Sequence, residues 1–200
     1  MREGFFHGFT DAHAHLPENP ADDAAISVPA NAKILLNATR AEDFPRVAAL
    51  AEKFPESIVP AFGIHPWFAE EWNGNVKLLL RKYISDTPNA TIGEIGLDRC
   101  RGTAERQESV FREQLEIAAE FGVPVSLHCV RAFGKLEEIL RGFFVAKKLP
   151  PFLLHAYGGS AEQSKIFARF GGVFSNPRRQ LPSECKIVSE SDAPLRSFSK

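Results

Sequence analysis

The sequence predicts an α/β fold, a (β/α)8 TIM barrel, on three observations. About eight short apolar runs alternate along the chain with stretches of helical periodicity. Several of those runs are nearly unbroken, the pattern of parallel strands buried on both faces. Five of the six histidines sit at or just past the end of a run, the face on which barrel enzymes build their sites. An open doubly wound sheet is the alternative that the same alternation permits.

In order, the strands are expected over residues 8–13, 33–37, 58–64, 90–96, 123–128, 152–155, 172–175 and 186–190. Over residues 42–54, Phe44, Val47, Ala48, Ala51 and Phe54 share one helical face. Residues 73–85 and 132–145 supply two more helices. Over residues 104–121, Phe111, Leu115, Ala118 and Ala119 form an apolar stripe, with Gly122 and Pro124 as stop signals. Ser160 and Gln163 have capping-box spacing for a helix through Phe170, which Gly171 and Gly172 end. Between Ser175 and Lys186 only ten residues remain, fewer than the dozen or so a parallel crossover needs, so the last helices are expected to be shortened or missing.

The 200 residues fit a single domain, 1–200, large enough to bury about 70% of its unfolded surface without disulfides. A net charge of −1 supplies no basic field for bulk binding of long nucleic acid, though a local patch remains open. Cys100, Cys129 and Cys185 have no CxxC spacing and read as reduced thiols. No leader-like or membrane-spanning apolar run is seen, which makes the cytoplasm the expected compartment.

The chemistry begins at Asp11-Ala12-His13-Ala14-His15. In an extended strand, residues i and i+2 share a side, so Asp11, His13 and His15 are expected to converge, two imidazoles facing one cation and Asp11 orienting one of them. Glu94 lies inside an apolar run between Gly93 and Gly96. A buried carboxylate needs a partner, and one that bridges two metals suits it; the glycines leave room for close approach. His128 and His155 end two further apolar runs and supply donors for a second metal. Asp192 shares a side with Glu190 and is the candidate for both ligand and general base.

Taken in order, Asp11–His15, Gly63-Ile64-His65-Pro66, Gly93-Glu94-Ile95-Gly96-Leu97-Asp98, His128-Cys129, His155-Ala156-Tyr157-Gly158-Gly159-Ser160 and Glu190-Ser191-Asp192-Ala193-Pro194 resemble the TatD family of metal-dependent deoxyribonucleases, within the amidohydrolase-like superfamily. Residues 106–122, with Phe111, Gln114 and Leu115, resemble the family's helix before the His128 strand. The resemblance implies a barrel with two divalent metal ions, Mg or Mn with Zn as another possibility. It implies that His13 and His15 hold the first, Glu94 bridges, His128 and His155 hold the second, and Asp192 completes the first shell. His65 is implied to lie near the substrate without ligating metal. The implied substrate is DNA, at ends or short single strands.

The chain also departs from the family's pattern. Only eight residues follow Asp192, Asn176-Pro177 replace a small residue, and Arg131 stands one position later than the family's arginine. These departures motivate two expectations: self-association through an uncovered strand surface, and a binding or scaffold role with weak catalysis. An enzyme cleaving a C–N or ester bond is a further alternative, opposed by Glu94 standing where such enzymes carry a bridging lysine. Arg99 with Arg101, and Arg178-Arg179, could contact phosphates, but solvated surface is the favoured reading for any one pair. Trp67 and Phe68 read either as base-stacking or as rim packing. Cys129 has no evident base and is no nucleophile.

Overall fold

The computed structural model describes residues 4–195. All eight expected strands are present, and each pairs in parallel with its neighbour in chain order: β1 Asp11–His15, β2 Ile34–Asn37, β3 Ile58–Phe62, β4 Thr91–Asp98, β5 Val125–Val130, β6 Phe152–Leu154, β7 Val173–Ser175 and β8 Lys186–Val188. The circle closes through the chain just beyond β8. Ala12 N–H donates to Ser189 O (2.9 Å), Asp192 N–H to His13 O (3.0 Å) and His15 N–H to Ala193 O (3.0 Å). The architecture is therefore a barrel and not the open sheet.

Five helices fill the crossovers from β2 to β7: α1 Phe44–Lys53, α2 Gly74–Asp86, α3 Ala104–Phe121, α4 Phe133–Val145 and α5 Ala161–Arg169. Their caps follow the sequence signals. Ser160 Oγ accepts from Gln163 N–H at 3.1 Å, and Gly122 ends α3 at φ 64°. The β1–β2 crossover holds only a 3-10 turn over Pro20–Ala25, and residues 176–185 contain no helix, as their length dictates. The strand surface this leaves open on β8 comes down chiefly to Ile187, 52% exposed. One aliphatic side chain is not an apolar patch of the size that marks an interface, so it supplies no support for self-association.

Three strands differ from the expectation in a way that matters. β1 begins at Asp11 and ends at His15, so both histidines lie within it. β4 and β5 run two residues further than expected, because Leu97 pairs with Cys129 and Asp98 with Val130. His128 is thus inside a strand, paired with Gly96 of β4.

Apolar residues fill the two layers differently. Leu36, Phe62, Ile92 and Leu127 pack outward against Phe44, Leu80, Phe111 and Leu136 of the helices. Inside the barrel, Ala12, Leu35, Val59, Ala61, Leu153 and Val173 pack with Phe6 and Phe9 of the N-terminal segment. That plug fills the N-terminal end of the barrel, so polar side chains collect at the other end.

Candidate metal centre

The candidate side chains enter from the C-terminal ends of six strands. β1 brings His13 and His15, β4 brings Glu94 and β5 brings His128. His65, His155 and Asp192 follow β3, β6 and β8. They meet around Glu94, which is 2% exposed, and its two carboxylate oxygens face different partners.

On the Oε2 side, His13 Nε2 stands at 3.5 Å and His15 Nε2 at 3.7 Å. The two imidazole nitrogens are 3.2 Å apart, and Asp192 Oδ1 lies 3.9 Å from one and 3.3 Å from the other. Four donors at about 2.1 Å around a tetrahedral cation stand about 3.4 Å from one another. His13, His15 and Glu94 have that spacing, and Asp192 stands at a similar distance from both imidazoles.

On the Oε1 side, His128 Nδ1 is at 2.8 Å and His155 Nε2 at 2.9 Å, with 3.1 Å between the two nitrogens. His65 Nε2 approaches the same oxygen to 3.5 Å. His65 is buried rather than open to the mouth, and its Nδ1 accepts from Trp67 N–H at 3.1 Å. That bond fixes the ring with Nε2 aimed inward, at donor distance from the second set. It therefore sits closer to the donors than a residue expected only to face substrate.

Charge orders the cluster. Burial, seconded by the His155 charge, pushes His13 down to about 3, so its lone pair is available at neutral pH. Burial alone would lower His155 too, but the Glu94 carboxylate and the other acids around it raise it to about 9. Glu94 is held well below the usual carboxylate range: burial opposes this, and His155, His65, His13 and the His128 hydrogen bond outweigh it. Asp192 is likewise lowered against its burial by His15, His155 and His13, which keeps it anionic.

A surrounding layer orients these groups. Ser126 Oγ lies 3.0 Å from His13 Nδ1, and the Asn37 amide nitrogen 3.3 Å from it, which turns Nε2 towards Glu94. Asp98 Oδ2 accepts from the Trp67 indole at 2.6 Å and faces His128 Nε2 at 3.3 Å, and Oδ1 accepts from Cys100 N–H at 2.7 Å. Glu190 accepts from Ala156 N–H at 2.9 Å and from the Ser175 hydroxyl, and its Oε1 stands 4.0 Å from His155 Nδ1. That imidazole nitrogen is buried and has no hydrogen bond among the described residues. Carboxylates beside ligating histidines are the usual means of fixing ring orientation.

Neither Asp98 nor Glu190 stood among the sequence candidates. The signal was available: both are acids in the quoted motifs, and Glu190 shares a strand side with Asp192. Asp11 differs from its expectation. Its carboxylate accepts from the backbone N–H of His13 (3.2 Å) and of Ser191 (2.9 Å), so it ties β1 to the Asp192 loop instead of orienting an imidazole. The register shift between Asp11 and Ala14 breaks the simple i, i+2 alternation. Gln114 on α3 clamps both backbone groups of Ile64, at 2.8 and 3.1 Å, which sets where His65 begins. Cys129 is pushed up to about 12 by burial, in keeping with an inert thiol.

The glycines around Glu94 are required by contact. A Cβ on Gly93 would stand 2.8 Å from Asn37 Oδ1 and from Ser126 Cβ; one on Gly96, at φ 148°, would stand 2.0 Å from His128 O. Two clefts open beside the donors. One of about 290 Å³ is bounded by His128, His155 and Asp192, the other of about 770 Å³ by His15, Asn37 and Thr39. Trp67 is 45% exposed at the rim, with the Arg101 guanidinium 4.0 Å over its ring, so it is neither fully packed nor free.

Comparison with known proteins is consistent with this geometry. The sequence profile described as TatD related DNase matches residues 10–195. The chain is 34% identical to the 3'-5' ssDNA/RNA exonuclease TatD of Dickeya dadantii, over 80% of this chain and 66% of that protein. It is 31% identical to the uncharacterized metal-dependent hydrolase YjjV of Escherichia coli, over 93% of this chain and 79% of that protein. The crystal structure of E. coli YjjV, a TatD homologue, superposes with a TM-score of 0.70 at 31% identity, covering 84% of this chain and 67% of that one. The chain thus spans about two thirds of the length of the exonucleases it matches.

Proposed function

This chain belongs to the TatD related DNase family, and from that premise we propose that it is a metal-dependent nuclease that hydrolyses phosphodiester bonds at the ends of single-stranded DNA, with RNA as a second substrate. The observation that carries the reading is Glu94: one buried carboxylate whose two oxygens face two separate sets of imidazoles.

The donors fit a pair of divalent cations. His13, His15, Asp192 and Glu94 Oε2 would hold the first; His128, His155 and Glu94 Oε1 would hold the second, with the His65 ring beside them. The mixture of imidazole and carboxylate suits Mn or Mg with Zn acceptable. Such ions supply Lewis acidity at the phosphoryl oxygens and make a bound water more acidic.

The residues of this chain do the rest. Glu94 fixes the separation of the two donor sets and places negative charge between them. Asp192, anionic and half-exposed beside His15, accepts the proton of the attacking water. His65 presents Nε2 to the Glu94 side of the site, and the indole of Trp67 packs edge-on against its ring at 5.0 Å. Phe6 and Phe9 fill the far end, and the two clefts beside the donors open at the mouth.

The test is nucleotide release from a labelled single strand with Mg or Mn, with and without EDTA, alongside metal content. Release that stops with EDTA and returns with added metal supports the reading. Equal release in both, or a protein that binds no divalent metal, overturns it.

A further inference from the structure

We propose that the smaller cleft is a subsite for a phosphodiester adjacent to the scissile one, anchored by the guanidinium of Arg178 with Arg131 in the same lining; this rests on the nuclease reading. The cleft, of about 290 Å³, is lined by the donors His128, His155 and Asp192 together with Arg131, Phe133 and Arg178. Its size is at the low end for ligand pockets, suited to a single nucleotide and not a duplex.

The arginines of the molecule fall into two kinds. On the helices, Arg81 pairs with Glu120, Arg112 with Glu138 and Arg141 with Glu137. The larger cleft also has its cations satisfied: Arg40 pairs with Glu42 and Glu71, and Arg46 is bidentate to Asp23 at 2.8 Å. Arg131 and Arg178 make no ion pair or guanidinium hydrogen bond among the described residues. The two clefts flank the same donor set, and only one offers uncommitted positive charge to a polyanion.

The position of Arg178 is built by the local chain. No helix follows β7, so the segment turns back over the mouth. Asn176 adopts φ 34° and donates from its side-chain amide to Glu190 O at 2.6 Å. Arg178 N–H then donates to Tyr157 O at 2.9 Å, which fixes the Cα beside the β6 loop. Its Cδ passes 3.6 Å from where a Cβ on Gly158 would stand, so the stem lies along that glycine with the guanidinium free. Arg131, which lines the same cleft, is itself held at φ 53°. A planar fork of donors matches two oxygens of one phosphate, which a solvated lysine would not do as well.

The experiment is steady-state cleavage of a short single strand by the full chain with Mn, over a series of salt concentrations. Three variants are compared: Arg178→Ala, Arg178→Lys, and Arg169→Ala, the last an exposed arginine at the end of α5 on the opposite face. In a second series, single linkages near the cleaved end are replaced by neutral methylphosphonates. Arg178→Ala is expected to raise KM about tenfold, the loss of one charge-assisted contact. It should also flatten the slope of log KM against log salt by about one phosphate, with partial recovery in Arg178→Lys and no change in Arg169→Ala. At one linkage the methylphosphonate and Arg178→Ala should fail to add, which a general structural defect would not produce. If Arg178→Ala matches the parent in KM and slope, or the losses add at every linkage, the subsite is wrong while the nuclease reading stands. A parent protein that cleaves no oligonucleotide overturns both.

Discussion

The two halves of the barrel mouth are built to different standards. Beyond β1, β2 and β3, charges are paired internally: Arg46 with Asp23, Arg40 with Glu42 and Glu71. Among the described residues, no non-glycine residue there has positive φ. Beyond β5, β6, β7 and β8, four successive strand ends each carry a left-handed non-glycine residue: Arg131 (φ 53°), Ala156 (φ 42°), Asn176 (φ 34°) and Asp192 (φ 51°). Left-handed backbone at such residues costs about 1 kcal/mol or more each. It persists because loop hydrogen bonds hold it, such as Asp192 N–H to His13 O and Arg178 N–H to Tyr157 O. One half of the mouth carries His13, His15 and His65 on a frame of paired charges. The other stores strain to aim side chains, and Glu94 stands between them.

Substitutions that strike the aimed half should hurt chemistry, and those at the paired charges Arg40, Arg46 and Asp23 should hurt only stability. Glu94→Gln should have the largest effect, because it removes charge from both donor sets. Activity should fall by about 10³-fold, the several kcal/mol that metal-assisted stabilisation supplies, and metal stoichiometry measured by elemental analysis should drop with it. Retained metal and activity would remove Glu94 from the centre of the comparison.

Gly96→Ala comes next. The added Cβ cannot coexist with His128 O at 2.0 Å, so β4 and β5 must part. A loss of about 3 kcal/mol, read as a melting temperature lower by about 10 °C, is expected. A variant that melts with the parent would show that the β4–β5 ladder is looser than drawn.

Asp98→Asn keeps the shape but weakens the carboxylate facing His128. Metal affinity should fall by about 10- to 100-fold, the usual effect of losing such an orienting partner, with little change in thermal stability. A titration showing unchanged affinity would make Asp98 a Trp67 partner only.

Glu113→Gln on α3 should matter least. Glu113 accepts from Lys77 on α2 at 2.9 Å, and that hydrogen bond draws its carboxyl below the usual range. A carboxyl lowered in the folded state stabilises above its unfolded value of about 4.3, and the contribution is lost as pH falls through the lower folded value. The parent should therefore exceed Glu113→Gln by under about 1 kcal/mol at neutral pH, and the two should converge in acid by chemical denaturation. Activity should not change.

Much of this was legible because strands and metals impose period and chemistry together. His13 and His15 are spaced by two, Glu94 interrupts an apolar run, and His128 and His155 close apolar runs. The eight strands follow from the same runs, and the missing crossover helix follows from length alone. What escaped the sequence depends on partners distant along the chain. Asp98 matters through Trp67 and His128, about thirty residues away on either side, and an acid at a strand end otherwise reads as a turn residue. Asp11 is used for a loop 180 residues on, which no local pattern announces. The unpaired state of Arg178 became meaningful only beside the paired arginines elsewhere.

The contact between Asp11 and Ser191 has a kinetic consequence. Strand β1 and the Asp192 loop lie 180 residues apart along the chain, yet the first donor set draws on both. Pairings of such long sequence separation form slowly, because the loop they close is long. Until they form, His13 and His15 belong to a sheet with a free edge. A cation that binds only the completed set would then favour the closed ring by mass action. In that role the metal would act as a latch on the last event of folding, before it ever meets a substrate.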